Sequence, residues 1–258
     1  MDTDTVVIAR VVEGLRWDAL DDDEVAGRGH ALRRPDGRVF LGVDAWDDDV
    51  FHRLVTTMLG DLPGTVYTLV DDDDRDAQTR WRDAGFVVCR QERLYTVPTD
   101  PQVTGLDEVT PPPGVTILPL GQAEEGPLSD LDRQVRAEVS ATLGWQSMPV
   151  EMFARPDGTL GVLDASKHVV AVQDGRYVGH ARIALLPRRS RLGLVAVLEA
   201  HRRRGLARAM LAELLGSLHG TGIGSVFTEV DDRNAPAAAL FEAIGAQQVG
   251  GAMELLHR

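Results

Sequence analysis

Residues 195–208 read Val-Ala-Val-Leu-Glu-Ala-His-Arg-Arg-Arg-Gly-Leu-Ala-Arg, and this stretch decides the fold. The apolar run over 192–198 is typical of a strand buried on both faces, and the apolar residues from Leu206 to Gly220 follow helical spacing. The first N–H groups of such a helix lack internal partners, and Gly205 lets a ligand approach the backbone closely. The turn therefore predicts an anion site for a phosphate or pyrophosphate. The alternative is a solvated basic helix start that binds nothing.

The flanking residues continue an alternation of strands and helices, which indicates an α/β fold. Ser129 and Asp132 resemble a capping box that opens a first helix. Asp174-Gly175 predicts a tight turn between two strands, and Asn234 predicts the cap of a last helix that runs to Gly245. Strands are predicted over residues 115–120, 168–173, 177–186, 192–198, 225–230 and 247–256.

Composition excludes several classes of protein. The 258 residues carry a formal net charge of −13, which argues against a general nucleic-acid binder. Cys89 is the single cysteine, so a disulfide framework and a cysteine-rich zinc module are both excluded. The acidic runs lack the spacing of a calcium loop, so no metal site is expected. We expect a cytoplasmic protein, because the apolar runs are too short for a membrane span and the first residues are acidic.

The charge is unevenly distributed along the chain. Residues 1–110 hold 24 acids and 12 bases, whereas residues 111–258 hold 16 acids and 15 bases. Proline-rich stretches between the two parts disfavour helix and sheet. We therefore predict a first domain over 1–98, a linker over 99–113 and a second domain over 114–258.

The second domain resembles the GNAT superfamily of N-acetyltransferases. Arg202-x-x-Gly205-x-Ala207 after an apolar strand is similar to the acetyl-CoA motif of that family. Asn234-x-x-Ala237-x-x-Leu240-Phe241, followed by Gly245, is similar to its second conserved segment. The resemblance covers about residues 115–258. It implies a GNAT fold with a mixed central sheet flanked by helices. It also implies transfer of an acetyl group from acetyl-CoA to a primary amine of a small molecule or a peptide N-terminus, by direct attack in a ternary complex.

The resemblance also implies roles for individual residues. Backbone groups of the strand would hold the pantetheine arm, and the arginine-rich turn would wrap the pyrophosphate. The implied acetyl-CoA-binding residues are Val195, Ala196, Val197, Arg202, Arg203, Arg204, Gly205, Leu206, Ala207, Arg208, Asn234, Ala237 and Phe241. The region after the first helix would form the acceptor wall, with Trp145, Met148 and Phe153, although ordinary core is an equal alternative.

Two residues are candidates for the proton acceptor. Glu229 lies five residues before Asn234, where some members of the family place a catalytic glutamate; the alternative is a strand carboxylate paired with an arginine. His180 is a second candidate, and a lone strand histidine is more often structural. Phe241 stands where those members have a tyrosine proton donor, so that role is vacant or falls to water or to a residue such as Tyr177.

The first domain reads as a degenerate copy of the second. Without a gap, seven of the 22 residues over 65–86 are identical to the residue 160 positions later, which indicates an internal duplication. The same offset sets Gly42 to Asp47 against Arg202 to Ala207, so every arginine is replaced and aspartates crowd the turn. We expect two tandem GNAT-like domains, the first one truncated, lacking a coenzyme A site and acting as a structural or substrate-shaping partner.

Alternatives to the acetyltransferase prediction remain. One is a non-catalytic acyl-CoA-binding or sensor protein, suggested by Phe241, and another is the transfer of a longer acyl group. The expected partners are acetyl-CoA and an amine acceptor, with no nucleic acid and no membrane, in a monomer or homodimer. The acidic first domain suggests attraction of a cationic amine.

Overall fold

The computed structural model describes residues 6–10, 14–22, 24–34, 36–142, 163–186 and 190–258. The chain divides into two units. The first contains the described residues up to Gln91 together with Gly251–Arg258, and the second contains the described residues from Glu92 to Gly250.

The described residues form twelve strands and six helices. The strands are β1 (Val7–Arg10), β2 (Arg16–Asp21), β3 (Glu24–Arg33), β4 (Val39–Ala45), β5 (Val66–Asp71), β6 (Val87–Pro98), β7 (Val115–Leu118), β8 (His168–Gln173), β9 (Arg176–Ala184), β10 (Arg191–Val197), β11 (Ser225–Asp231) and β12 (Gln247–His257). The helices are α1 (Asp48–Asp61), α2 (Arg75–Asp83), α3 (Pro101–Thr104), α4 (Glu125–Thr142), α5 (Leu206–Gly220) and α6 (Ala235–Glu242).

The first unit is a mixed sheet in the order β1-β2-β3-β4-β5-β12. β4 and β5 run parallel, and the other neighbours run antiparallel. α1 packs on the sheet because Val50, Leu54 and Met58 recur at helical spacing on one buried side. Trp81 of α2 joins the same core. The first unit therefore has a hydrophobic core of its own.

The second unit is a mixed sheet in the order β6-β11-β10-β9-β8-β7, and its parallel pair is β10 with β11. α5 and α6 supply its main core, which contains Leu206, Met210 and Phe241. α4 packs against β9, and its buried residues lie outside that core. Since Ala181 of β9 belongs to the core and successive strand residues alternate between faces, His180 points to the side of α4.

The predicted hairpin in the second unit is confirmed. β8 and β9 pair antiparallel, and the two residues between them, Asp174 and Gly175, have φ values of 50° and 72°. Two consecutive left-handed residues make the tight turn that suits the right-handed twist of a hairpin.

Two strands lie in part in a unit other than the domain predicted for them. Residues 92–98 of β6 pair with β11 in the second unit, and residues 252–257 of β12 pair with β5 in the first. β6, which follows the first copy in sequence, thus pairs with the second unit. β12, which follows the second copy, pairs with the first unit. The predicted bounds of 1–98 and 114–258 differ from the units for this reason, because pairing between distant strands leaves no local signal.

The predicted linker over 99–113 also differs from the structure, where these residues lie in the second unit. Asp100 caps α3 and Pro101 occupies its first turn, where a missing N–H costs nothing. Thr99 is fully buried and Leu106 joins the core. The prolines mark the ends of elements here rather than a free linker.

The prediction that the first helix of the second unit begins at Ser129 is wrong. α4 begins at Glu125, so Asp132 lies in the helix interior, and its carboxylate receives Arg136 Nε at 2.6 Å. Both side chains are buried, so Asp132, expected as the second residue of a capping box, instead forms a buried ion pair with Arg136 one helical turn away.

Candidate functional site

The parallel strands β10 and β11 separate after a short paired section. Their register joins Arg191 to Phe227 alone, and the Thr228 hydroxyl donates to the carbonyl of Leu192 at 2.9 Å. A β-bulge follows at Gly193, where the pairing of β10 with β9 shifts. From Gly193 to Val197 the side chains are half-buried, so the edge of β10 that faces β11 offers backbone groups to a ligand.

α5 begins without a side-chain cap. Gly205 occupies the cap position with φ of 86°, and the first helical N–H bond runs from Ala209 to the carbonyl of Gly205. The N–H groups of Leu206 and Ala207 therefore precede the first intrahelical bond, in the positive end of the helix dipole. A side chain at position 205 would meet no atom within 4 Å, so crowding does not explain the glycine. Its left-handed backbone conformation does, because residues with a side chain rarely adopt it.

The arginines of the turn divide into two groups. Arg203 and Arg204 are exposed and form no ion pair within the described part of the chain, and Arg203 is left-handed with φ of 61°. Arg202 is engaged: its Nε donates to the carbonyl of Val197 at 2.9 Å, and its guanidinium pairs with Glu138 at 2.7 Å. Arg208 is half-buried, with a long contact of 3.5 Å to the carbonyl of Gly105.

The second predicted segment builds the start of α6. Asn234 caps the helix, because its Oδ1 accepts from the N–H of Ala237 at 3.2 Å. Phe241 is 4% exposed and belongs to the core. Its ring carries no exchangeable proton, so a proton donor is absent from this position.

Glu229 lies in β11 and forms an ion pair with the first residue of β10. Its Oε2 receives Arg191 Nε at 2.5 Å, and the two side chains are 29% and 22% exposed. The pairing that the sequence left as an alternative is therefore present. The carboxylate remains partly open to solvent, and Arg191 contacts one of its two oxygens.

His180 is fully buried and contacts a second histidine that the sequence reasoning missed. The Nδ1 atoms of His168 and His180 lie 3.1 Å apart, and the rings stack with centroids 5.2 Å apart. Burial lowers the pKa of His168 to about 3 and that of His180 to about 4, so both rings are neutral near pH 7. The enclosure of the His180 side chain favours the structural alternative. The signals that pointed to this enclosure were the Asp132–Arg136 pair on α4, which is buried, and the second histidine on β8.

The other predicted residues fall into two classes. The hydroxyl of Tyr177 accepts from the N–H of Glu124 at 3.0 Å, just before α4, so it is engaged in capping that helix. The predicted acceptor-wall residues Trp145, Met148 and Phe153 lie outside the described residues.

The corresponding turn of the first unit is shorter and closed. Trp46 and Asp47 alone separate β4 from α1, whereas eight residues separate β10 from α5. Asp47 Oδ1 accepts from the N–H of Val50 at 2.8 Å, so a carboxylate occupies the helix start where an anion would bind. The ungapped comparison set β4 residues against the arginine turn, and this alignment is wrong because the turn of the first unit has two residues and that of the second has eight.

The remainder of the first copy matches the second. The Thr68 hydroxyl donates to the carbonyl of Leu41 at 3.1 Å, as Thr228 does to Leu192. β4 and β5 are joined in parallel at only two positions, Val39 with Val66 and Phe40 with Tyr67. These shared contacts support the internal duplication.

Within the described ranges, no group of three or more His, Cys, Asp or Glu side chains is arranged to hold a metal. Each described helix is too short or too polar to cross a membrane.

Residues 139–246 match the model of the Acetyltransferase (GNAT) family. The chain is similar to a GCN5-related N-acetyltransferase from Sphaerobacter thermophilus, with a TM-score of 0.66 and 16% identity over 96% of this chain and 82% of that one. It is also similar to a tandem GNAT protein from the clavulanic acid biosynthesis pathway, with a TM-score of 0.62 and 16% identity over 98% and 83% of the two chains. A third similar structure is a GCN5-related N-acetyltransferase from Kribbella flavida, with a TM-score of 0.58 and 16% identity over 96% of this chain and 88% of that one. No curated protein matches the sequence.

Proposed function

We propose that this chain transfers the acetyl group of acetyl-CoA to a primary amine, because residues 139–246 match the model of the Acetyltransferase (GNAT) family and the chain is similar in fold to a tandem GNAT protein. The acceptor would be a small molecule or a peptide N-terminus. The second unit would carry the reaction, and the first unit would bind no coenzyme A.

The uncapped start of α5 is the observation that carries this proposal. Helix N–H groups before the first intrahelical bond, a left-handed glycine and two exposed arginines meet at one turn, and pyrophosphate is a polyanion that such a turn recognises. The half-buried edge of β10 leads away from this turn and would hold the pantetheine arm by its backbone groups. Arg203, Arg204, Leu206, Ala207 and Arg208 would then line the phosphates.

The reaction needs few groups beyond position. The amine nitrogen attacks the thioester carbonyl carbon, the carbon–sulfur bond breaks, and the coenzyme leaves as a thiolate. The nitrogen loses one proton, which Glu229 would accept directly or through water, and the thiolate gains one from solvent. Holding both reactants together lowers such a barrier by about 7–11 kcal/mol, whereas acid–base help adds roughly 10²–10⁴-fold. A site without a tyrosine at 241 is therefore compatible with turnover.

Charge reversal in the turn tests the anion site. Arg204→Glu would weaken binding of CoA to the full chain by about tenfold or more in titration calorimetry, because it sets a carboxylate beside the phosphates. The matched control is Arg176→Glu, a reversal of another exposed arginine of the second unit. Unchanged CoA binding by Arg204→Glu would show that the site is wrongly assigned.

The second candidate is a non-catalytic acyl-CoA-binding protein, favoured by the buried Phe241 and by the Glu229–Arg191 ion pair. Release of free thiol from acetyl-CoA and from longer acyl-CoAs, with a panel of amines, separates the two. Turnover with any amine supports the transferase, and a preference for a longer chain would revise the acyl group. Tight binding of acetyl-CoA without turnover on the whole panel would favour the binding protein.

A further inference from the structure

Glu138 of α4 makes three contacts with the turn between β10 and α5. Its two carboxylate oxygens accept from the backbone N–H of Glu199 at 2.9 and 3.0 Å, and one of them also pairs with Arg202 at 2.7 Å. The side chain is 26% exposed, so the contacts are partly sheltered from solvent.

Arg202 extends this connection to the sheet. Its Nε donates to the carbonyl of Val197, the last residue of β10, at 2.9 Å. The N–H of Leu198 donates to the carbonyl of Val178, and His201 Nδ1 lies 3.0 Å from the side-chain oxygen of Gln173. Residues 197–202 are thus fixed to α4, β8 and β9, while residues 203–205 stay exposed.

The Glu138–Arg202 pair also neutralises a negative charge beside the turn. A lone carboxylate beside a pyrophosphate site would repel the ligand, and Arg202 neutralises it at contact distance. An isolated exposed ion pair contributes little, but a carboxylate that also accepts backbone N–H bonds fixes the direction of the chain. The arginines left for the ligand are those that follow, beginning with Arg203.

We propose that Glu138 is a positioning residue that holds the turn in its phosphate-binding conformation through Glu199 and Arg202. This inference rests on the proposed function. Arg202 is then a part of the support rather than a phosphate ligand, which separates it from Arg203 and Arg204.

The direction in which one substitution changes the affinity for CoA distinguishes this role from its alternative. Glu138→Gln keeps an oxygen for the N–H of Glu199 but removes the charge that holds Arg202. If Glu138 positions the turn, the variant binds CoA about three- to tenfold more weakly. If Arg202 is instead a phosphate ligand that Glu138 restrains, the variant binds CoA as well as or better than the unchanged chain.

A double-mutant cycle adds an independent readout. Arg202→Gln breaks the same link, so the double variant would bind CoA no more weakly than the worse single variant, in a cycle measured by titration calorimetry.

In acetyl transfer by Glu138→Gln, KM for acetyl-CoA would rise with kcat nearly unchanged, and Glu138→Asp would restore part of the binding. Asp130→Asn, an exposed carboxylate on the same helix, is the control, and thermal unfolding of each variant confirms the fold.

Three results would overturn the inference: CoA binding by Glu138→Gln at or above the original affinity, additive losses in the double variant, or an equal loss in Asp130→Asn. If the unchanged chain binds no CoA, the proposed function fails and the inference with it. If the unchanged chain binds CoA and Glu138→Gln binds it equally, the inference alone fails.

Discussion

The hydroxyl of Thr228 donates to the backbone carbonyl of Leu192 at 2.9 Å, where the paired section of β10 and β11 ends. Beyond this contact the two strands separate and β10 leads to the arginine turn. Thr68 makes the same contact with Leu41 in the first unit at 3.1 Å, but there the strand leads to a capped helix start. The duplicated fold therefore keeps the strand contact in both units and a helix start without a side-chain cap in one.

Thr228→Val would separate the contribution of this contact to stability from its contribution to CoA binding. Both threonines are buried, so replacing either hydroxyl with a methyl group leaves a carbonyl without its donor and lowers the free energy of unfolding by about 1–2 kcal/mol. Only Thr228→Val would also weaken CoA binding, measured by calorimetry beside urea unfolding. Equal CoA binding by Thr228→Val and Thr68→Val would contradict the role given to the β10–β11 opening.

Glu229→Gln would slow transfer by roughly 10²–10⁴-fold in kcat while the Kd for CoA stays nearly constant, because a proton acceptor acts on the amine and not on the coenzyme. Steady-state kinetics with calorimetry on the same samples gives both numbers. Asp130→Asn provides an exposed carboxylate in the same unit as the control. A Glu229→Gln enzyme with the original kcat would remove the proton-acceptor role and leave positioning alone.

The buried histidine pair makes the second unit sensitive to acid. The pKa values of about 3 for His168 and about 4 for His180 lie below the ordinary value of 6.5, so the unfolded chain binds more protons than the folded one between these values. The stabilisation is complete above pH 6.5 and is lost as pH falls toward 4 and 3. The free energy of unfolding would fall by up to about 1.4 kcal/mol per pH unit for each ring.

Urea unfolding at several pH values measures this slope. His168→Gln keeps a neutral hydrogen-bonding partner for His180 and removes one protonation site, so its slope between pH 6 and 4 would be smaller (both pH limits are approximate). His219→Gln changes an exposed histidine and would leave the slope as it was. An unchanged slope in His168→Gln would show that other groups cause the acid loss.

A cationic acceptor would be favoured over a neutral one if the excess acid of residues 1–110 steers the amine. The expected sign is a kcat/KM for a polyamine or an aminoglycoside that falls as salt rises, since exposed charges are screened over about 8 Å at physiological ionic strength. An amine without additional charge would show a weaker dependence. The same salt dependence for both acceptors would exclude steering by the first unit.

Local sequence predicted the elements that local chemistry determines. Gly205 and Asn234 mark the starts of α5 and α6, and Asp174-Gly175 marks a turn, because each of these residues acts through its own backbone or its nearest neighbours. The helix start on which the proposed anion site rests could be predicted for the same reason, since a glycine at the cap position is a local feature.

Pairings between distant residues could not be predicted. Glu138 lies 64 positions before Arg202, and nothing in the run Arg202-Arg203-Arg204 shows which arginine it engages. β6 and β12 have the same strand character whichever sheet they join, so their pairing with β11 and β5 is a tertiary result. The turns of the two units differ in length, and an ungapped comparison reads this difference as a set of false substitutions.

Difference density from a crystal of the full chain grown with CoA tests the central claim most directly. The account predicts one CoA for each chain, with its pyrophosphate against the N–H groups of Leu206 and Ala207 and its pantetheine arm along residues 195–197. A pyrophosphate at the start of α1, or a coenzyme bound away from the turn before α5, would contradict it.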